Sequence, residues 1–362
     1  MTSQVSAVAG DTRSVLVIGG QGFLGSFIAR AFAQEGWRVT RGGRRAERAA
    51  DFRLVDLDRP ETVDAATRDV DLVVSTVRHP RLVAERAVLR AGPTLINLDD
   101  LHAAERARLQ EEVPSPKGLV VDRTGLYGVA MLALAELLGR HPEADTVHYG
   151  FLAGIAEKSG PAGGALMERL LHGAGRRRTA RVRLPDPFGR RRAIEAGADA
   201  DGILRDVVGA RSFRVYVCFV PAAVNGIILA LNALGVAGRL PLSALPSGKP
   251  PAEPSRQPTC HWLEVRRGRE LLASRFVRGN GDYRMSVAAT RIFADALIPG
   301  AGVEPRRRGV FGVDEILTLA ELSPALRAHG ITVDPAAVPG HTASGRASGA
   351  PAASPRRAGV RS

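Results

Sequence analysis

Apolar residues fill positions 15–18, Val-Leu-Val-Ile, and run straight into Gly-Gly-Gln-Gly-Phe-Leu-Gly. Ser26-Phe27-Ile28-Ala29-Arg30-Ala31-Phe32-Ala33 follows with helical spacing. A strand buried on both faces, a tight turn and an amphipathic helix produce this pattern. It repeats as far as residue 125. Strands are expected at 37–40, 53–57, 70–77, 94–98 and 119–122, with helices at 26–34, 61–67 and 81–90. Apolar strands separated by helices predict an α/β fold, a doubly wound parallel sheet of the Rossmann type.

After residue 126 the rhythm changes. A helix is expected at 127–138, a strand at 146–152 and a helix at 163–171. Two hairpins follow: 181–184 with 192–195 around the Pro185 to Gly189 turn, and 262–266 with 271–277 around Arg267-Gly268. This is a second, α+β unit. A helix over 286–298 takes Ser286 as its N-cap. The apolar run 215–238 is long enough to cross a bilayer. Pro221, Asn225 and Asn232 interrupt it, so it reads as a core strand at 215–220 and then a buried helix, with no membrane partner. The organisation expected is a disordered leader at 1–12, a nucleotide-binding domain at 13–126 and an α+β substrate and dimerisation domain at 127–284. Helices packing back on the first domain follow at 285–334, and then a disordered tail at 335–362, poor in apolar surface.

The formal charge of +13 changes little in this picture. Residues 176–192 hold eight Arg and one Asp, net +7, and the tail after Asp334 adds +4. No stacking aromatics accompany them, so no nucleic-acid partner is expected. Cys218 and Cys260 stand far apart without histidines at ligand spacing, which excludes a disulfide framework and a zinc site. Residues 1–14 lack a signal-peptide apolar core, and a cytoplasmic homodimer is expected.

The glycine turn carries the clearest chemistry. Gly20, Gly22 and Gly25 fit G-x-G-x-x-G between a strand and a helix, the context that gives this motif its meaning. In this reading Gly20 makes the tight turn, Gly22 admits a pyrophosphate and Gly25 lets the helix approach the strand. Gly19, Gln21, Phe23 and Leu24 complete the cradle at the positive end of the helix. Gly19, Gly22 and Gly25 equally fit the turn of short-chain dehydrogenases. That chemistry needs a Lys four residues after a Tyr, and Tyr127, Tyr149, Tyr216 and Tyr283 are followed there by Met131, Ala153, Val220 and Val287. The second strand ends in Arg41-Gly42-Gly43-Arg44 without an acid. This favours NADP over NAD, with Arg44 and then Arg41 as ligands of the added phosphate. Asp56 either sits by the adenine or begins a turn.

The strand ends offer Ser75, Thr76, His79, Asp99, Asp100, Arg123 and Tyr127 to a nicotinamide and its substrate. Tyr127, His79 and Asp99 are the candidate proton donors or orienters. His79 reads equally as a loop residue with a structural hydrogen bond, and one of Asp99 and Asp100 as the cap of a helix starting near Leu101. Lys158, Ser159 and Gly160 open a second glycine-rich turn before a helix, suited to a carboxylate or a phosphate of the substrate.

The order of these motifs resembles the saccharopine dehydrogenase-like reductases. The similar pieces are the turn at 19–25, Asp122-Arg123-Thr124-Gly125-Leu126-Tyr127-Gly128, the turn at 158–164 and Gly281-Asp282-Tyr283-Arg284-Met285-Ser286. Gly309-Val310-Phe311-Gly312-Val313-Asp314-Glu315 and residues 326–331 resemble the ending of that family. The similarity spans 13–334, while Val77-Arg78-His79-Pro80 departs from the Asn-Cys-Ala-Gly-Pro-like turn found there. The resemblance implies a Rossmann domain, an inserted α+β domain and C-terminal helices returning to the first. It also implies hydride transfer with NAD(P) to or from an imine, carbonyl or activated double bond. Two alternatives remain open: an NADP-binding or sensing protein without turnover, and a membrane-surface reductase acting on a lipid.

Overall fold

A computed structural model of the chain describes residues 12–45, 48–125, 127–154, 170–172, 175–196, 201–239, 253–302 and 307–337. Strands β1 (Ser14–Ile18), β2 (Arg38–Gly43), β3 (Phe52–Leu54), β4 (Leu72–Ser75), β5 (Thr94–Asn97) and β6 (Leu119–Asp122) alternate with helices α1 (Phe23–Gln34), α2 (Pro60–Thr67), α3 (Val83–Ala91) and α4 (Ala103–Glu112). Then come α5 (Gly128–Arg140), β7 (Thr146–Gly154), β8 (Thr179–Arg183), β9 (Arg190–Glu195), α6 (Asp201–Val208), β10 (Ser212–Val220) and α7 (Ala222–Ala233). The chain closes with β11 (Pro258–Arg267), β12 (Glu270–Asn280), α8 (Asp282–Leu297), β13 (Gly309–Gly312), α9 (Val313–Ile316), α10 (Leu319–Ala328) and β14 (Thr332–Val333).

The first sheet is wholly parallel, in the order β13-β6-β5-β4-β1-β2-β3. The reversal between β1 and β4 is the switch point where such sheets bind ligands. Every residue of β1, β4, β5 and β6 is buried, which is why these strands read as unbroken apolar runs. The seventh strand was not expected: β13 comes from the C-terminal part and pairs with β6 from Gly309↔Leu119 to Gly312↔Asp122. Four residues that begin and end in glycine are too short to read as a strand without their partner.

The second sheet runs β14-β12-β11-β7-β10-β9-β8, with β7 and β10 parallel and the rest antiparallel. Both expected hairpins are present. One apolar core joins the two sheets: Val15 and Val17 of the first and Val147, Tyr149, Phe151 and Leu263 of the second share it with α5. That helix is buried around most of its circumference because it carries apolar residues on nearly every side.

Three expectations need correction. Helix α8 starts at Asp282 after Gly281, and Ser286 is no cap, because its hydroxyl donates to Asp282 O inside the first turn (2.9 Å). Neither Asp99 nor Asp100 caps α4; His102 does, with its N–H donating to Glu105 Oε2 (2.9 Å). Helix α7 is not buried: only Asn225, Ile228 and Asn232 face inward. Among the described residues no helix is long and apolar enough to cross a membrane.

Candidate active site

The turn after β1 is built from close backbone contacts. The N–H groups of Gly19 and Gly20 donate to Gly42 O at 2.9 and 3.2 Å, and that of Gly22 to Gly19 O at 2.8 Å. The left-handed residue of the turn is Gly19, at φ +80°, and not Gly20. A Cβ at Gly25 would lie 2.1 Å from Gly19 O, so only glycine lets α1 reach the strand. Gly22 differs: a Cβ there meets only Gly19 O, at 3.0 Å, and otherwise open space. The first turn of α1 has no acidic residue, and Gly22 provides no side-chain cap. The N–H groups at Phe23, Leu24 and Gly25 have no partner within the helix. An anion fits against them. Gln21 leans over Gly43, whose missing side chain leaves it room.

Arg41 near the end of β2 and Arg44 just past it part ways. Arg41 grips Asp51 with Nε and Nη2 (2.9 and 3.2 Å), and this contact holds the Asp51 carboxyl below its usual range. Arg44 is exposed and pairs with no carboxylate among the described residues. Asp56 shapes the turn after β3: its N–H donates to Thr62 Oγ1, and its Oδ1 accepts from Asp58 N. Ser75 donates to Val77 O at 3.0 Å and Thr76 to Ile18 O at 3.1 Å, which ties the end of β4 to the glycine turn.

Farther along the strand ends the candidates separate. His79 turns to Asp58, 3.4 Å away in the loop after β3, on the α2 and α3 side. Asp99 pairs with Arg78 (3.3 Å), which also holds Glu105 and donates to Asp100 O. The Asp100 side chain makes no such pair. It is half-buried at the end of the loop after β5. Burial, reinforced by Asp99 and Asp122, pushes its carboxyl up to about 8.

Tyr127 is buried where α5 begins. Its ring lies edge-on to Tyr149, Phe151 and His261 on the facing strands β7 and β11, with centroids 5.8, 5.9 and 6.5 Å away. The Tyr149 hydroxyl and His261 Nδ1 share a hydrogen bond of 2.8 Å. Burial pulls His261 down to about 4, so its ring is neutral at working pH, and its buried Nε2 has no partner among the described residues. Asp282 caps this array from α8. Its Oδ2 accepts from Gly154 N (3.2 Å), and burial raises its carboxyl. Asp100 and Asp282 both act electrostatically on Tyr149. Sequence reasoning missed Tyr149, His261 and Asp282. The available signal was His261, a polar residue at an inward position of an otherwise apolar alternating strand.

Arg123 is a joint and not a surface ligand. It is 2% exposed, with φ +58°. Nε and Nη2 both reach Asp314 Oδ1 (3.0 and 2.7 Å), and Nη1 faces Asp206 of α6 (3.7 Å). Thr124 donates to Asn97 O at 2.6 Å. Lys158, Ser159 and Gly160 lie outside the described residues, and among the described residues no cluster suits a metal ion.

Residues 15–108 match the model of the NAD dependent epimerase/dehydratase family. The chain is similar in structure to apo saccharopine dehydrogenase (L-Glu forming) from Saccharomyces cerevisiae, with TM-score 0.52 and 10% identity over 90% of this chain and 100% of that one. It is also similar to dipicolinate-bound dihydrodipicolinate reductase from Paenisporosarcina sp. TG-14, with TM-score 0.42 and 11% identity over 84% and 100% of the two chains. At such identity the first likeness shows a shared fold. No curated protein matches the sequence.

Proposed function

We propose that the chain is an NADP(H)-dependent oxidoreductase that transfers hydride to or from an imine, carbonyl or activated double bond of a small metabolite. The observation that carries this reading is the open space at Gly22, before a helix N-terminus that no acid or side-chain cap fills. Apart from Gly19 O at 3.0 Å no protein atom occupies that space, and a pyrophosphate fits it. Gly22, Phe23, Leu24 and Gly25 would hold the pyrophosphate with their backbone, and Arg44 the 2′-phosphate. When bound, the nicotinamide supplies or accepts the hydride.

The chain's own contribution is the proton. Asp100 stays protonated at neutral pH because burial and two neighbouring carboxylates disfavour its charge. It donates that proton to the atom that becomes basic as the double bond is reduced, and regains one from solvent along its open edge. Tyr127, Tyr149 and His261 form a neutral, water-poor wall opposite the sheet. Asp99 and His79 are already paired, and they orient the loops around the cleft.

Fluorescence titration with NADPH and NADH tests the cofactor assignment. Gly22→Val is expected to abolish binding with the melting temperature kept. Arg44→Ala is expected to weaken NADPH binding about tenfold or more and to leave NADH unchanged, since a charge-assisted hydrogen bond contributes roughly 1.5–3 kcal/mol. Equal losses for both cofactors would make Arg44 structural.

A further inference from the structure

Helix α7 presents the wrong face to water. Its twelve residues include no charged group. The inner stripe is Asn225, Ile228 and Asn232, while Ile227 is 61% exposed and Leu234, just past the helix end, 75%. These are the most exposed large apolar side chains among the described residues. Ala223, Gly226 and Ala230 extend the same outer stripe. A solvent-facing helix ordinarily does the reverse.

The inversion is held in place by hydrogen bonds. Asn225 Oδ1 accepts from Phe219 N (2.9 Å), and its Nδ2 donates to Arg192 O (3.0 Å). Asn232 Oδ1 accepts from Arg177 N, and its Nδ2 donates to Arg177 O, both at 3.1 Å. Turning the apolar stripe inward would break all four bonds. The same two asparagines bind α7 to the most basic part of the chain.

Between them runs a groove of about 370 Å³, lined by Arg176, Arg177, Arg178 and Arg192 on one side and by Leu229 and Ala233 on the other. Arg177 is committed to carbonyls of residues 170–172. Arg176 and Arg178 are exposed and meet no carboxylate among the described residues. The β8–β9 hairpin adds Arg181, Arg183, Arg190 and Arg191, against Asp186 at the turn and Glu195 at the end of β9.

From this juxtaposition we infer that α7 and the arginine hairpin form a docking surface for an anionic lipid bilayer. Ile227 and Leu234 enter the acyl boundary, and lipid phosphates occupy the arginine groove. At twelve residues α7 spans about 18 Å, too short to cross a core of about 30 Å, so it lies in the interface plane. A second copy of the chain would bring the same positive charge and be repelled. A nucleic acid would answer the arginines and leave the apolar ridge in water.

The test is sedimentation of the full chain with vesicles of phosphatidylcholine containing 30% phosphatidylserine, against vesicles of phosphatidylcholine alone. Binding is expected only to the anionic vesicles, and it should weaken as salt is raised. Ile227→Asp with Leu234→Asp, and separately Arg176→Glu with Arg178→Glu, should each reduce it more than tenfold, since one basic side chain near such a surface contributes about fivefold. Both changes lie on exposed positions, so the melting temperature should hold. Absence of vesicle binding overturns the proposal. So does binding that the two aspartates leave intact, which would mean plain charge attraction to any polyanion. Loss of self-association in the aspartate variant, measured by light scattering and without vesicle binding, would assign the face to a second copy instead.

Discussion

Asp99 and Asp100 are neighbours in sequence with different chemistry in the fold. Arg78 pairs with the first, whereas burial and the neighbouring Asp99 and Asp122 push the second up to about 8. Asp100→Asn should therefore lower turnover at least a hundredfold, with NADPH affinity unchanged. In the wild type the reductive rate should fall as pH rises through about 8, where the donor is lost. A pH–rate profile flat across that range would remove Asp100 from the role. A stability effect of opposite sense accompanies it. A carboxyl raised in the native state binds more protons folded than unfolded, so it destabilises increasingly from its unfolded value near 4 up to its folded value. The Asn variant should thus gain stability over wild type at pH 8 and little at pH 4, measured by urea unfolding. The glycine turn makes a second residue-scale contrast. Gly25→Ala places a Cβ against Gly19 O and should lower the melting temperature. Gly22→Ala, whose Cβ would stand 3.0 Å from the same oxygen against 2.1 Å for Gly25→Ala, should lower it less and weaken cofactor binding.

Elements that the chain pattern delineates well are those whose burial matches their periodicity. β6 and β1 read cleanly because parallel strands are apolar on both faces. Helix α5 reads as helical, but its position between two sheets shows only in the fold. The joint between α5, α6 and α9 is Arg123, and nothing in the short run Asp122-Arg123-Thr124 announces that its partners are Asp206 and Asp314. Arg123→Met should cost about 3–5 kcal/mol in urea unfolding, because Asp314 is left buried without its cation. Adding Asp314→Leu should recover part of the loss. Strictly additive losses would mean that the pair is not coupled. Similar logic covers β13: the four residues Gly309–Gly312 become a strand only because β6 offers an open edge.

At the scale of the molecule, the two sheets share one core, another lies between the first sheet and α2 and α3, and a third lies behind the β7–β11 face around Cys218, Cys260 and Trp262. Burial pushes both thiols up to about 12, and a thiol reacts only as its thiolate. Iodoacetamide at pH 8 should label neither cysteine in the native protein and both together across one urea transition. Labelling of either in the absence of urea would show that this part opens by itself. The parallel sheet, the glycine turn, both hairpins and the charge clusters were determined by the sequence alone, since local spacing and composition suffice for them. Tertiary structure alone decided that Gly19 is the left-handed residue, that burial raises the Asp100 carboxyl, that Tyr149 meets His261 and that α7 turns its apolar stripe outward. Each of these depends on partners far away in the chain. A carboxyl is raised or lowered by what surrounds it, and a helix is oriented by the groups that satisfy its buried polar side chains. Neither cause leaves a periodic trace in the sequence.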